Sequence, residues 1–157
     1  MLIAGNWKMH KDLEASVELA SGVADGVDSD SPVDVAVCPP FVNIRAVTEA
    51  VADTPVAVGA QTVHHEESGA YTGSVSAPML RAVGCTYTIV GHSERRQYQG
   101  ETDADVNRQM AAALEHDLIP IVCVGESLEE RKAGRAEAVV EEQVTAALEG
   151  LGVADPE

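Results

Sequence analysis

Tyr87-Thr88-Ile89-Val90-Gly91-His92-Ser93-Glu94-Arg95-Arg96 passes from an apolar, β-branched run to a glycine, a histidine and a charged string. The first four residues read as a buried strand. Gly91 marks the turn that follows it. His92 is thereby placed at a strand's C-terminal end, its ring over the first free N–H groups of that turn. A helix N-terminus beside an imidazole disfavours the imidazolium, so the ring is expected to be neutral and to donate an N–H. A histidine in this position can also do no more than cap a turn. The rest of the chain decides between the two.

Four further runs share the strand's character. Leu2–Asn6, Val33–Cys38, Val56–Ala60 and Ile119–Val124 join Tyr87–Val90 as short, nearly continuous apolar segments. Such runs are expected of parallel strands buried on both faces. Helical spacing lies between them, in Leu13, Val17, Ala20 and Ala24, in Val106, Met110, Ala113 and Leu114, and in Val140, Val144, Ala147 and Leu148. Thr102 with Asp105 resembles a capping box. Pro120 falls at a strand start, where a missing N–H is tolerated. Gly150 and Gly152 suit the end of the last helix. The order is five βα units, with strand starts roughly 23 to 32 residues apart, close to the ~30 per unit of an eight-fold α/β barrel. An open doubly wound sheet is the alternative. No GxGxxG follows the first strand, which weakens the dinucleotide-binding form of that alternative. Gln61–Ser76 carries neither period. A loop of that length in a compact domain serves function or an interface.

The chain has 157 residues, of which 45% are hydrophobic, enough for one domain with a core. No apolar run nears the roughly 20 residues that span a bilayer. Met1-Leu2-Ile3-Ala4-Gly5 has no basic n-region, so a cytoplasmic location is expected. Cys38, Cys85 and Cys123 lack any CxxC or Cys–His pattern, which argues against zinc and disulfides and for buried thiols. The net charge is −16, and Lys8, Lys11 and Lys132 are the lysines. Such a surface repels nucleic acid and anionic membranes. Acidic excess, scarce lysine and few aromatics also resemble halophile surface chemistry.

Lys8 lies just past the first strand, in Gly5-Asn6-Trp7-Lys8-Met9-His10. In so acidic a chain it is the local cation that draws an anionic substrate to the mouth of the sheet. Asn6 can donate and accept hydrogen bonds beside it. A neutral imidazole donor and an ammonium converging on one point suit a carbonyl that becomes an enediolate. Abstracting the neighbouring C–H proton also requires a base, usually a carboxylate.

Four strings carry a resemblance: Gly5-Asn6-Trp7-Lys8-Met9, Gly69-Ala70-Tyr71-Thr72-Gly73, Val90-Gly91-His92-Ser93-Glu94-Arg95-Arg96 and Cys123-Val124-Gly125-Glu126. In order and spacing they resemble the triosephosphate isomerase family along the whole chain. The resemblance implies a (β/α)8 TIM barrel, truncated here after the fifth βα unit, with residues 1–157 one incomplete domain. It implies interconversion of D-glyceraldehyde 3-phosphate and dihydroxyacetone phosphate through an enediolate, in glycolysis and gluconeogenesis, without metal or other cofactor. Asn6 and Lys8 would bind substrate, and His92 would polarise the carbonyl and shuttle a proton between its oxygens. Glu94 would position Lys8 and His92, and Ser93 would hold the turn. Arg95 with Glu101 would be a structural ion pair behind the site. The Gln61–Ser76 loop would enter a second subunit, where Thr72 braces the neighbour's site, making a homodimer.

The family's general base is a glutamate in a Tyr-Glu-Pro-Val-Trp segment on the sixth strand, and residues 1–157 contain no such segment. Glu157 has the wrong context, and Glu126 reads as a helix-start acid. The sixth strand's mobile lid and the glycine-rich phosphate loops of strands seven and eight are also missing. The chain alone is therefore expected to be inactive or nearly so. Its first and fifth strands are expected to be open edges that invite pairing or aggregation. A non-catalytic half-barrel needing a complementary C-terminal chain is the alternative function. Another phosphosugar isomerase or an aldolase is a weaker one, because no Schiff-base lysine is evident on a strand. The halophile reading predicts that thermal unfolding shifts upward between low and molar salt. An unchanged midpoint would remove it.

Overall fold

The computed structural model of the chain describes residues 1–152. Five parallel strands form one sheet in sequence order: β1 (Leu2–Asn6), β2 (Asp34–Cys38), β3 (Val56–Ala60), β4 (Tyr87–Val90) and β5 (Ile119–Val122). The helices between and after them are α1 (Leu13–Asp25), α2 (Ile44–Ala50), α3 (Ala77–Ala82), α4 (Ser93–Gln99), α5 (Asp103–Glu115), α6 (Leu128–Lys132) and α7 (Ala136–Leu148). Strand order equal to chain order is that of a barrel wall. A doubly wound sheet reverses direction at a switch point, and this sheet does not. Register is staggered: Val37 pairs with Val58, but β3 meets β4 only through Gly59–Tyr87 and Ala60–Thr88. Stagger of this kind accompanies the strand tilt that curls a sheet toward a barrel.

The core lies where helices cover the sheet. Val37, Val58 and Val90 pack with Ile44, Val47, Leu80, Val106, Met110 and Leu118, all nearly inaccessible. Asp12 caps α1 by accepting from the Ala15 N–H at 3.0 Å. The expected Thr102–Asp105 capping box opens α5, a feature worth about 1 kcal/mol. The buried Asn43 amide donates to the Lys11 carbonyl at 3.1 Å and to Ser16 Oγ at 2.9 Å. It thereby anchors the chain leaving β1.

Several expectations needed correction. Burial on both faces fails for the two outer strands, where Ile3 is 54% and Ile119 50% exposed. Each has a neighbour on one side only among the described residues. β5 ends at Val122, not Val124, because Val122 pairs with Val90, the last residue of β4, before Gly91 turns away. β2 starts at Asp34, since Val33 is engaged in a turn with the Ser31 hydroxyl. In α7 the buried residues are Val139 and Ala147, while Val144 is exposed. Asn107 of α5 donates to the Ala147 and Glu149 carbonyls at 3.0 and 2.9 Å and sets that rotation. The turn after β4 becomes a helix of its own, α4, closed by Gly100 at φ 71°. The Gln61–Ser76 segment is a loop, held by one bridge between His64 and Ser76. Glu157 lies outside the described residues.

Packing carries three predictions. Gly91 has φ 69°, and an added Cβ would meet Val106 Cγ2 at 2.9 Å and the Cys123 carbonyl at 3.1 Å. Backbone strain and overpacking together make Gly91→Ala destabilising by about 2–4 kcal/mol in urea unfolding. All three cysteines are free. Burial pushes the Cys38 and Cys85 thiols from 9.0 up to about 12. Unfolded, both ionise near 9, so the stability they contribute is fully present below that pH and is lost as pH rises toward 12. The urea midpoint is expected to fall from about pH 9 to about pH 11, less steeply in the Cys38→Ala/Cys85→Ala variant. Alkylation near neutrality should reach the half-buried Cys123 first.

Candidate active site

Parallel strands end on one edge, and the polar residues that follow β1, β3 and β4 gather there. Asn6, Lys8, Gln61, His92, Glu94 and Tyr98 line a cleft of about 280 Å3. Lys8 is two residues past β1 and adopts a left-handed backbone at φ 53°, a conformation costing about 1–2 kcal/mol outside glycine. Its N–H donates to Asn6 Oδ1 at 2.9 Å. That bond engages the Asn6 oxygen, while the amide NH2 makes no hydrogen bond to another described residue.

The Lys8 ammonium donates to Glu94 Oε1 at 2.6 Å. This hydrogen bond holds the Glu94 carboxyl below the usual carboxylate range, with the positive charge of Lys8 adding to it. Glu94 therefore stays ionised near neutrality. Both partners are about half exposed, so the pair orients Lys8 more than it stabilises the fold.

His92 caps α4. Its Nδ1 accepts the Glu94 backbone N–H at 3.2 Å. A donor pointing at Nδ1 leaves no place for a proton there, so the hydrogen-bond network assigns the ring hydrogen to Nε2. No described residue bonds Nε2. Glu94 thus serves both groups: its N–H fixes the tautomer of His92, and its carboxylate holds Lys8. On its other side His92 borders a second cleft of about 340 Å3, lined by Gly91, Ser93, Arg96, Cys123 and Glu126 among others.

Behind the cleft, Arg95 Nε donates to Glu101 Oε1 at 2.6 Å, as does Gln109 Nε2 at 2.9 Å. The expected Arg95–Glu101 contact therefore forms, with Glu101 nearly buried. Ser93 is the first residue of α4. Thr72 is exposed and does not line the Lys8 cleft. Glu126 is bound to Arg131. Its own backbone N–H and that guanidinium hold it below the ordinary carboxylate range.

Sequence reasoning missed two elements. Gln61 Nε2 donates to the carbonyls of Lys8 and Cys38, each at 2.8 Å. The available signal was a carboxamide directly after an apolar strand, like Asn6 at the end of β1. Arg96 Nε donates to the Gly91 carbonyl at 2.8 Å and its guanidinium pairs with Asp103, fixing the turn that carries His92. Among the described residues, Glu67, Glu115 and His116 bring ligand atoms within 4.8 Å of one another. They share no residue with the cleft.

A family model for triosephosphate isomerase matches residues 1–157. The triosephosphate isomerase of Rhodopirellula baltica is 52% identical over 151 residues, covering 96% of this chain and 59% of that protein. That of Chloroflexus aurantiacus is 54% identical over 147 residues, covering 94% and 59%. The crystal structure of the Bartonella henselae enzyme superposes with a TM-score of 0.89 at 35% identity, covering 95% of this chain and 62% of that one. The chain spans about 59% of the length of these curated relatives. With its strand order, its Lys8–Glu94–His92 cluster and a family match along its whole length, the chain belongs to the triosephosphate isomerase family.

Proposed function

We propose that this chain supplies the first five βα units of an enzyme interconverting D-glyceraldehyde 3-phosphate and dihydroxyacetone phosphate, a step of glycolysis and gluconeogenesis. The observation that carries the reading is the single cleft shared by the Lys8 ammonium and a His92 ring whose hydrogen sits on Nε2. Lys8 draws in the phosphorylated triose and offsets negative charge on it. His92 Nε2–H donates to the substrate carbonyl oxygen. As the adjacent C–H proton leaves, charge develops on that oxygen, and a donor already in place stabilises it without reorganising. The ring then passes a proton between the two oxygens of the enediolate. The Asn6 amide is free to fix the substrate's orientation.

The C–H proton goes to a carboxylate. Glu94 is held by Lys8 and Glu126 by Arg131, so neither is free to accept it. We place the base on a segment that completes the barrel against β1 and β5. The chain by itself is then inactive or nearly so, since loss of a positioned base costs ~10²–10⁴-fold. The open edges at Ile3 and Ile119 favour a second reading, a half-barrel that acts only as an assembly partner.

The dimer belongs to the same proposal. A cleft of about 280 Å3 lies between the Gln61–Ser76 loop and α4–α5, lined by His64, Ser74, Arg95 and Glu101. Glu101 Oε2 and Gln109 Oε1 are buried there without partners. A second copy whose loop entered this cleft would bring its Thr72 toward the site, where it would brace it. No helix among the described residues is long and apolar enough to cross a membrane, and we assign the work to the cytoplasm.

The test mixes this chain with the complementary C-terminal segment of the Chloroflexus aurantiacus relative and assays isomerisation. Activity is expected only in the mixture, and His92→Gln should lower kcat by ~10²–10⁴-fold. Isomerisation by the chain alone would overturn the placement of the base. A stable but inactive complex would favour the assembly reading.

A further inference from the structure

We propose that Gln61 is a positioning residue for Lys8: its carboxamide, donating to the Lys8 and Cys38 carbonyls, holds the lysine backbone in the conformation that sets its ammonium in the cleft. This rests on the reading of Lys8 as the substrate-binding cation. Gln61 immediately follows β3, and one NH2 group spends both its hydrogens on carbonyls at the ends of β1 and β2, at 2.8 Å each. Cys38 is the last residue of β2, and its carbonyl also accepts the Trp7 N–H at 3.1 Å. The amide therefore ties β1, β2 and β3 together at the mouth of the sheet.

Lys8 needs such a tie. A long side chain at φ 53° persists only where its surroundings over-determine it. Its own N–H is taken by Asn6 and its carbonyl by Gln61, so both polar groups of its backbone are fixed by side chains. The half-exposed pair with Glu94 is too weak to do this alone. Glutamate would set an anion against two carbonyl oxygens, and asparagine is one methylene short.

The test has two arms. In the chain itself, the Glu94 carboxyl is titrated by 13C NMR. Its depression comes first from the Lys8 hydrogen bond, so it reports where the ammonium is. In Gln61→Ala, Glu94 is expected to titrate higher, toward an ordinary carboxylate, as it does in Lys8→Ala, while Leu80 and Leu118 methyl shifts stay in place. Gln61→Met keeps the shape and loses only the donors, and should give the same result if alanine disturbs packing. Unchanged Glu94 titration in a folded Gln61 variant overturns the proposal. So does unchanged titration in Lys8→Ala, which would mean the ammonium is not at the carboxylate.

The second arm uses the completed barrel. Gln61→Met should lower kcat/KM about 10- to 100-fold in the parent but hardly at all in a Lys8→Ala background. An equal loss in both backgrounds marks a structural role and overturns the proposal. If Lys8→Ala leaves kcat/KM unchanged, the functional reading of Lys8 fails, and the titration alone decides whether Gln61 positions it.

Discussion

Parallel pairing is the constraint on which the rest of this molecule depends. Every strand runs the same way, so every crossover returns along a helix and every strand ends on the same edge. The residue just past each strand is then presented at one mouth. Asn6 at the end of β1 and Lys8 past it, Gln61 after β3 and His92 after β4 are far apart in sequence, yet they line one cleft. An antiparallel sheet with the same strands would scatter them to both ends.

Within that cleft the chemistry is set by very few bonds. Glu94 joins the two reactive groups, one through its backbone N–H and the other through its carboxylate. The arrangement separates two demands that otherwise conflict. A carboxylate placed squarely on Nδ1 would favour the imidazolium, whereas a backbone N–H there requires a lone pair. The carboxylate is directed at Lys8 instead, and its second oxygen stays 3.7 Å from Nδ1. A chain of net charge −16 thus keeps a cation and a neutral donor together at its mouth. The local pairing, not the overall field, decides their states.

The strands were legible because a buried parallel strand is apolar throughout and stands out against amphipathic helices. Boundaries moved only where pairing ran out, at Val122 beside the end of β4, or where a side chain competed for the backbone, at Ser31. The face of α7 was read only in part: Ala147 is buried as expected, but Val140 and Val144 fit the period as well as the buried Val139 does. Asn107 chose between them by bonding the helix's last carbonyls. The Gln61 tie was hidden for a different reason. It joins residues 53 and 23 positions apart, and no local pattern announces such a bond.

The sequence by itself determined the strand–helix alternation, the position of His92 at a strand end and, through four short strings, the family. These depend on near neighbours and on residue types read directly from short stretches of chain. Only the tertiary structure decided which nitrogen of His92 carries its hydrogen, how Lys8 is held at φ 53° and that one glutamate serves both. Those depend on strand register and on the stagger that curls the sheet, which set angles and distances between segments remote in the chain.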